Sequence, residues 1–277
     1  ASLATGRPGF TTSPDANTLE VRLDDFNKDT GLRNLSEKDP VGVLGIELSS
    51  RRRNRMNGRI NHASSDGFSI HVDQSFGNCP QYIQKRDVEQ VQRSPSKRGT
   101  DADFATLPEE AAQLVISADT FFVSSYVNAT NQPEIEGVDV SHRGGRPGFV
   151  DVKGNQLTIP DFPGNNSFNT LGNFLLNPKA GLVFADFTTG DLLQLTGTVQ
   201  LLDKDTTQQL SPIDNALSHF QGADRGWRFT LKKGRWLRGA LPFRFGKEEA
   251  SPRNALTDTW RSVRKRLAET DQSTPSS

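Results

Sequence analysis

Apolar residues along this chain fall into short, closely spaced groups rather than long amphipathic stretches. VGVLGIEL (Val41–Leu48) and AGLVFADF (Ala180–Phe187) are almost uninterrupted apolar runs flanked by Pro, Asn and Asp. Such runs predict strands that are buried on both faces or that close a barrel. DGFSIHV (Asp66–Val72), TFFVSSYVN (Thr120–Asn128), GDLLQLTGTV (Gly190–Val199) and RGWRFTL (Arg225–Leu231) are β-branched or aromatic and lie between turn residues, which is a strand signature. Helical spacing is confined to Pro108–Ser117, Thr206–Phe220, Asn169–Leu176 and Asn254–Glu269, and Asn177-Pro178 ends the third of these. The pattern predicts a mainly β protein, a β-barrel architecture with a few helices.

The pattern also repeats. GRPGF occurs at Gly6–Phe10 and again, 139 positions later, at Gly145–Phe149. The match extends in order: Ala1–Val21 against Val138–Ile159, Asp39–Leu48 against Asn177–Phe187, Arg51–Ile60 against Gly190–Val199 with Gly58 on Gly197, and Asp66–Val72 against Arg225–Leu231. Recurrence at fixed order is the mark of internal duplication. Two similar small barrels are expected: residues 1–89, a polar linker at 90–103 (QVQRSPSKRGTDAD), a second unit at 104–247, and a C-terminal helix and tail at 248–277. The second copy has a helix and a strand ahead of its GRPGF, and the first begins almost at the motif without an initiator Met. The first barrel is therefore expected to be truncated, with the natural chain extending upstream, because a barrel short of a strand leaves an unpaired edge.

Composition narrows the function. Lys and Arg number 33 and Asp and Glu 33, so no global field draws nucleic acid or an anionic membrane. The single Cys79 excludes an internal disulfide and fits a reducing, cytoplasmic setting. No apolar run approaches the roughly 20 residues of a membrane span. The four histidines, at 62, 71, 142 and 219, are scattered, which predicts no metal site. HExxH, P-loop, GxSxG and a strand-following GxGxxG are absent, so hydrolase, kinase and Rossmann readings lack support.

Four stretches could carry chemistry. In DVSHRGGRPGF (Asp139–Phe149), Ser141, His142 and Arg143 precede two glycines, a set that could hold an anion or form an ordinary solvated turn. In IPDFPGNNSFNTLGNFLLNP (Ile159–Pro178), Asn166, Asn169 and Thr170 lie at a helix start, where side chains either cap the helix or help bind phosphate. Cys79 sits in a Gly-Asn-Cys-Pro turn, where a lone thiol is usually packing rather than a nucleophile. In SSRRRNRMNGR (Ser49–Arg59), strand alternation puts Arg51, Arg53 and Arg55 on one face, as a solvated face or an anion contact.

SHRGGRPGFVDV, LTIPDFPGNNSFNTLGNFLLNPKAGLVFADF, LLQLTG and SFGNCPQYI resemble the pyridoxamine 5'-phosphate oxidase-like family of FMN-binding split β-barrels, and its tandem, two-unit subgroup in particular. The resemblance implies two tandem split β-barrels forming a pseudo-dimer within one chain, with FMN in the cleft between them. It assigns cofactor binding to Ser141, His142, Arg143, Asn166, Asn169, Thr170 and Gln194, with Arg55 and Cys79 contributed by the first barrel. Thr170 stands where the wider family often has a phosphate-binding Lys. Walls for the slot are expected from Pro160, Phe162 and Phe168. The activity implied is a flavin-dependent oxidoreductase acting on a small redox substrate or a nicotinamide donor, with a reductase partner or module and further homodimerisation as options. No residue is marked as catalytic. The alternative is a non-catalytic flavin or haem binding or sensor protein on the same fold, or a partner-docking unit with an empty cleft.

Overall fold

The computed structural model describes residues 1–23, 30–77, 79–90, 100–127, 137–164, 168–202 and 216–272. It is mainly β and antiparallel, with few helices. The first sheet comprises β1 (Thr11–Asp15), β2 (Thr18–Arg22), β3 (Pro40–Glu47), β4 (Arg52–Ser64) and β5 (Gly67–Gly77), in the order β1-β2-β5-β4-β3, with one helical turn, α1 (Thr30–Arg33), before β3. Two short strands follow, β6 (Val88–Gln90) and β7 (Ala102–Phe104). The second sheet adds β8 (Thr120–Val127), β9 (Gly137–Gly144), β10 (Asp151–Lys153), β11 (Gln156–Asp161), β12 (Lys179–Ala185), β13 (Leu192–Leu202) and β14 (Arg225–Leu237), in the order β10-β11-β14-β13-β12-β8-β9, with β7 on β14. β15 (Phe243–Phe245) pairs with β6. The helices are α2 (Glu109–Ser117), α3 (Asn169–Leu176) and α4 (Trp260–Gln272).

The second sheet curls around its core. Phe121 on β8 and Trp227 on β14 sit three strand spacings apart along the sheet, about 14 Å if it were flat. Their ring centroids are 6.2 Å apart. Phe149, Phe184, Leu182 and Phe229 fill the same interior, and Trp260 and Val263 of α4 complete it. The apolar run on β12 is buried on both faces: Leu182 and Phe184 point inward, and Val183 and Ala185 join Phe122, Leu192 and Leu241 on the outer face. Leu3, Leu44 and Ile46 from the first part of the chain cover that outer face. The first sheet has its own smaller core of Leu19, Val21, Leu23, Ile60 and Ile70.

Both GRPGF segments form the same turn. Phe10 N donates to Arg7 O at 2.9 Å, and Phe149 N to Arg146 O at 2.9 Å. Gly9 and Gly148 lie at φ +90° and +89°, the left-handed region that favours glycine. Each turn leads into a hairpin, β1–β2 or β10–β11. Gly58 and Gly197 also correspond: each sits at a register shift, where an added Cβ would lie 2.0 Å from His71 O or 2.1 Å from Thr230 O.

Three expectations need adjustment or fall away. The helix expected over 254–269 is divided: Pro252–Leu256 form a 3-10 turn, and the α-helix begins at Trp260, where Thr259 Oγ1 accepts from Ser262 N at 3.3 Å as its cap. Most of the helix expected at 206–220 lies outside the described residues, as do positions 91–99 of the expected linker. The two ends of that linker are paired into sheets, Gln90 with Phe243 and Asp103 with Arg235.

The segment Glu249–Trp260 clasps the two halves. Arg51 donates to Glu249 O and pairs with its carboxylate. Ser251 Oγ accepts from Tyr82 N at 3.2 Å, and Ser251 N donates to Gln84 Oε1 at 2.8 Å. Trp260 then donates from N to Gly148 O and from Nε1 to Phe149 O, on the second GRPGF turn. Beneath the clasp, Gly144 faces the 79–86 loop so closely that a Cβ there would lie 2.1 Å from Tyr82 O. Both atoms are fixed by backbone, so Gly144→Ala is expected to lower unfolding stability by about 1–3 kcal/mol in urea denaturation. Gly137→Ala, which opens on empty space, should stay within about 0.5 kcal/mol.

Candidate functional site

Strand alternation sets the site. On β9, Asp139, Ser141 and Arg143 share one face. Thr170 descends on them from the first turn of α3: its Oγ1 donates to Asp139 Oδ2 at 2.5 Å and lies 2.8 Å from Ser141 Oγ. From the first sheet, Arg55 on β4 enters this group. Its Nη2 lies 2.6 Å from Asp139 Oδ1, and its Nη1 donates to Ser141 Oγ at 3.2 Å. Its guanidinium also stacks 4.6 Å from the centre of the Phe76 ring. Arg55 is 4 % exposed and Asp139 2 %, so this is a buried ion pair joining the two sheets.

Beside it opens a cleft with a cavity volume of about 120 Å³. Arg53, Arg55, Arg143 and Arg225 line it, with Asp161 and Asp224 as acidic counterparts. Tyr82, Phe149, Phe162 and Phe168 supply aromatic walls, and Cys79 lies at the side. The arginines differ in their commitments. Arg55 belongs to Asp139. Arg143 pairs through Nη1 with Asp161 Oδ1. Arg225 stands off, 4.0 Å from Asp161 Oδ2, and lies 4.8 Å above the Phe168 ring. Arg53 Nε is buried and has no hydrogen-bond partner among the described residues. Burial, reinforced by the charges of Arg55 and Arg143, pulls the Arg53 guanidinium down to about 10, which still leaves it cationic at neutral pH.

The opposite rim is built by the turn that follows β5. Tyr82 adopts φ +62°, donates from its hydroxyl to Pro163 O at 3.0 Å, and packs its ring 5.4 Å from Phe162. Burial raises its phenol pKa, so it stays protonated.

The residues expected from sequence divide accordingly. Ser141, His142, Arg143, Arg55 and Cys79 come together at the cleft, as do Pro160, Phe162 and Phe168. Thr170 is buried against Asp139 and turned away from the cavity. Asn169 is exposed in the first turn of α3 and is not in the cleft lining. Gln194 lies elsewhere, donating from Nε2 to Ala1 O at 3.0 Å. Asn166 lies outside the described residues. His142 is inside but carries no charge: burial first, then the charges of Arg53, Arg143 and Arg86, hold its imidazole down at about 3. Its ring meets Phe122 edge-on at 5.8 Å. The two glycines of SHRGG, expected to let an anion approach the backbone, are occupied by protein instead. Tyr82 O fills the space over Gly144 and the Phe149 ring the space over Gly145. Asp161, Tyr82 and Arg225 were missed as site residues: the first two lie within stretches singled out above, but their roles, like that of Arg225, depend on contacts made across the fold.

No protein-family model and no curated protein sequence matches the chain. Among solved structures it is similar to HupZ of group A Streptococcus, at 10 % identity over 47 % of this chain and 99 % of that one, with TM-score 0.33. It is similar to a Clostridium acetobutylicum protein related to general stress protein 26 of B. subtilis and described as of the pyridoxinephosphate oxidase family, at 15 % identity over 56 % and 94 %, TM-score 0.33. It is also similar to the FAD binding protein of Mycobacterium smegmatis, at 12 % identity over 48 % and 97 %, TM-score 0.29.

Two measurable outcomes follow from the buried charges. Arg55→Ala strands Asp139 in the interior and should cost about 3–5 kcal/mol of stability; adding Asp139→Ala should recover part of the loss in a double-mutant cycle. His142 has a folded pKa of about 3 against the ordinary 6.5, so the unfolded chain takes up its proton first as pH falls. That contribution is complete above pH 6.5 and is lost towards pH 3, at up to about 1.4 kcal/mol per pH unit. Urea denaturation across this range should show the slope in the wild type and a shallower one in His142→Leu.

Proposed function

We propose that the cleft binds flavin mononucleotide and that the chain is a flavin-dependent oxidoreductase. In this reading two tandem split-barrel units pair as a pseudo-dimer and form the cleft within one chain. The observation that carries the proposal is Arg53, a half-buried cation whose Nε is buried and lacks a partner among the described residues, facing an aromatic-walled cleft beside Arg225. A partly desolvated charge with a buried, unpartnered N–H is well matched by an anion, and a phosphate meets it with charge-assisted hydrogen bonds.

The donor set fits that cofactor. Arg55 and Arg143 are neutralised by Asp139 and Asp161, so the phosphate falls to Arg53 and Arg225. Tyr82, Phe162 and Phe168 offer flat apolar faces for a planar ring. The enclosed 120 Å³ is below the roughly 300 Å³ of small ligand pockets, so it suits the anionic end of the molecule and leaves the planar end to the exposed rim. FMN, when bound, supplies the hydride and electron chemistry itself. The chain's part is to bind and orient. The Tyr82–Pro163 hydrogen bond fixes the two rims against each other, and the Arg55–Asp139 pair fixes the floor. A small redox substrate or nicotinamide would supply or remove electrons.

Titration of the protein with FMN, followed by flavin fluorescence, tests this. Arg53→Ala should weaken binding about tenfold or more, the worth of a charged hydrogen bond, and Arg52→Ala, on the solvent side of β4, should leave it unchanged. Equal affinities in the two variants would remove the assignment. Bleaching of the bound flavin by NADH or NADPH then separates an oxidoreductase from a passive flavin binder.

A further inference from the structure

We propose that each chain holds one anionic ligand, in the Arg53 cleft alone, and that the matching position in the other half is closed by the chain's own apolar side chains. This deepens the reading above and rests on it.

The matching position can be located by register. Val41 pairs with Gly58 and Ala180 with Gly197, at the two corresponding bulges. Counting back along each strand from its bulge glycine puts Gln194 in the place of Arg55 and Leu192 in the place of Arg53. The contacts agree with this count. Arg55 reaches Ser141 on the strand leading to the second GRPGF, and Gln194 reaches Ala1 on the segment leading to the first. A Cβ on Gly42 would lie 3.2 Å from Val138 O, and one on Gly181 2.7 Å from Ala1 N. The chain thus presents two similarly framed crossings.

Their chemistry is opposite. At the first, four arginines, Cys79 and Tyr82 surround open space. At the second, Leu192 is 2 % exposed and packs in one cluster with Ala240, Leu241 and Leu3. The turn after β14 brings in Ala240 and Leu241, both buried, where the turn after β5 brings Cys79 and Tyr82 to the cleft lining. Phe187, Phe243 and Phe245 pack against the same cluster, with the Phe187 and Phe245 ring centroids 4.9 Å apart. A phosphate placed there would lose its hydration, and the cation that stacks on this cluster, Arg86, 4.0 Å from the centre of the Phe187 ring, is already paired with Asp119 at 2.5 Å.

Equilibrium dialysis of the purified protein against FMN, with protein concentration fixed independently, gives the number bound at saturation. One per chain in the wild type, with that single site weakened about tenfold or more in Arg53→Ala and no second class of site present, is the expected result. Near-ultraviolet circular dichroism confirms that the variant is folded. Two per chain, or a site of unchanged affinity in folded Arg53→Ala, overturns the single-site inference and leaves flavin binding standing. No FMN bound by the wild type overturns the flavin reading and this inference with it.

Discussion

The pairing of Arg55 with Asp139 is the contact on which the geometry of the molecule turns. One partner belongs to the first sheet and the other to the second, and the hydroxyls of Ser141 and Thr170 bind in α3. A buried pair of this kind adds little stability compared with an apolar substitute, but separating it is costly. Its effect is therefore on placement. The apolar cluster around Phe122 and Leu44 tolerates sliding, whereas a guanidinium and a carboxylate at 2.6 Å with two hydroxyl partners do not. With that register fixed, Arg53, two residues along β4, must face the cleft, and the loop bearing Tyr82 must lie across Gly144.

The cleft is consequently built from commitments already made. Asp139 and Asp161 neutralise two of its four arginines, and burial keeps His142 and Tyr82 uncharged. The remaining positive potential is concentrated on Arg53 and Arg225. Selectivity in such a site comes from which charges are left over rather than from how many line the wall.

Much of the fold was legible in the sequence. The apolar run on β12 announced burial on both faces, and the repeated GRPGF announced a repeated turn, because the glycine at positive φ and the phenylalanine over the first glycine are needed each time. Arg55 and the strand at Ser141–Arg143 were also visible, through a run of arginines, a polar cluster ahead of two glycines and the family resemblance. The roles within the site were less so. Thr170 reads as a helix-start donor, but an aspartate on β9 claims it. SHRGG reads as an anion loop, but its glycines make room for Tyr82 and Phe149. Gln194 stands on the expected strand, but in the wrong half. Apart from the Phe149 contact within GRPGF itself, each of these depends on a partner more than 25 residues away in sequence, which local pattern does not encode.

The clasp at Glu249–Trp260 carries a consequence for biosynthesis. Arg51 meets Glu249 across 198 residues, and Ser251 reaches back to Tyr82 across 169. Contacts this distant in sequence form only after residues 249–251 have left the ribosome. The 79–86 loop would emerge early and wait, the N–H groups of Tyr82 and Lys85 without their Ser251 and Glu249 partners, until that segment arrived. Nascent chains halted before residue 249 would thus display an unfinished rim, a natural point for chaperones to intervene.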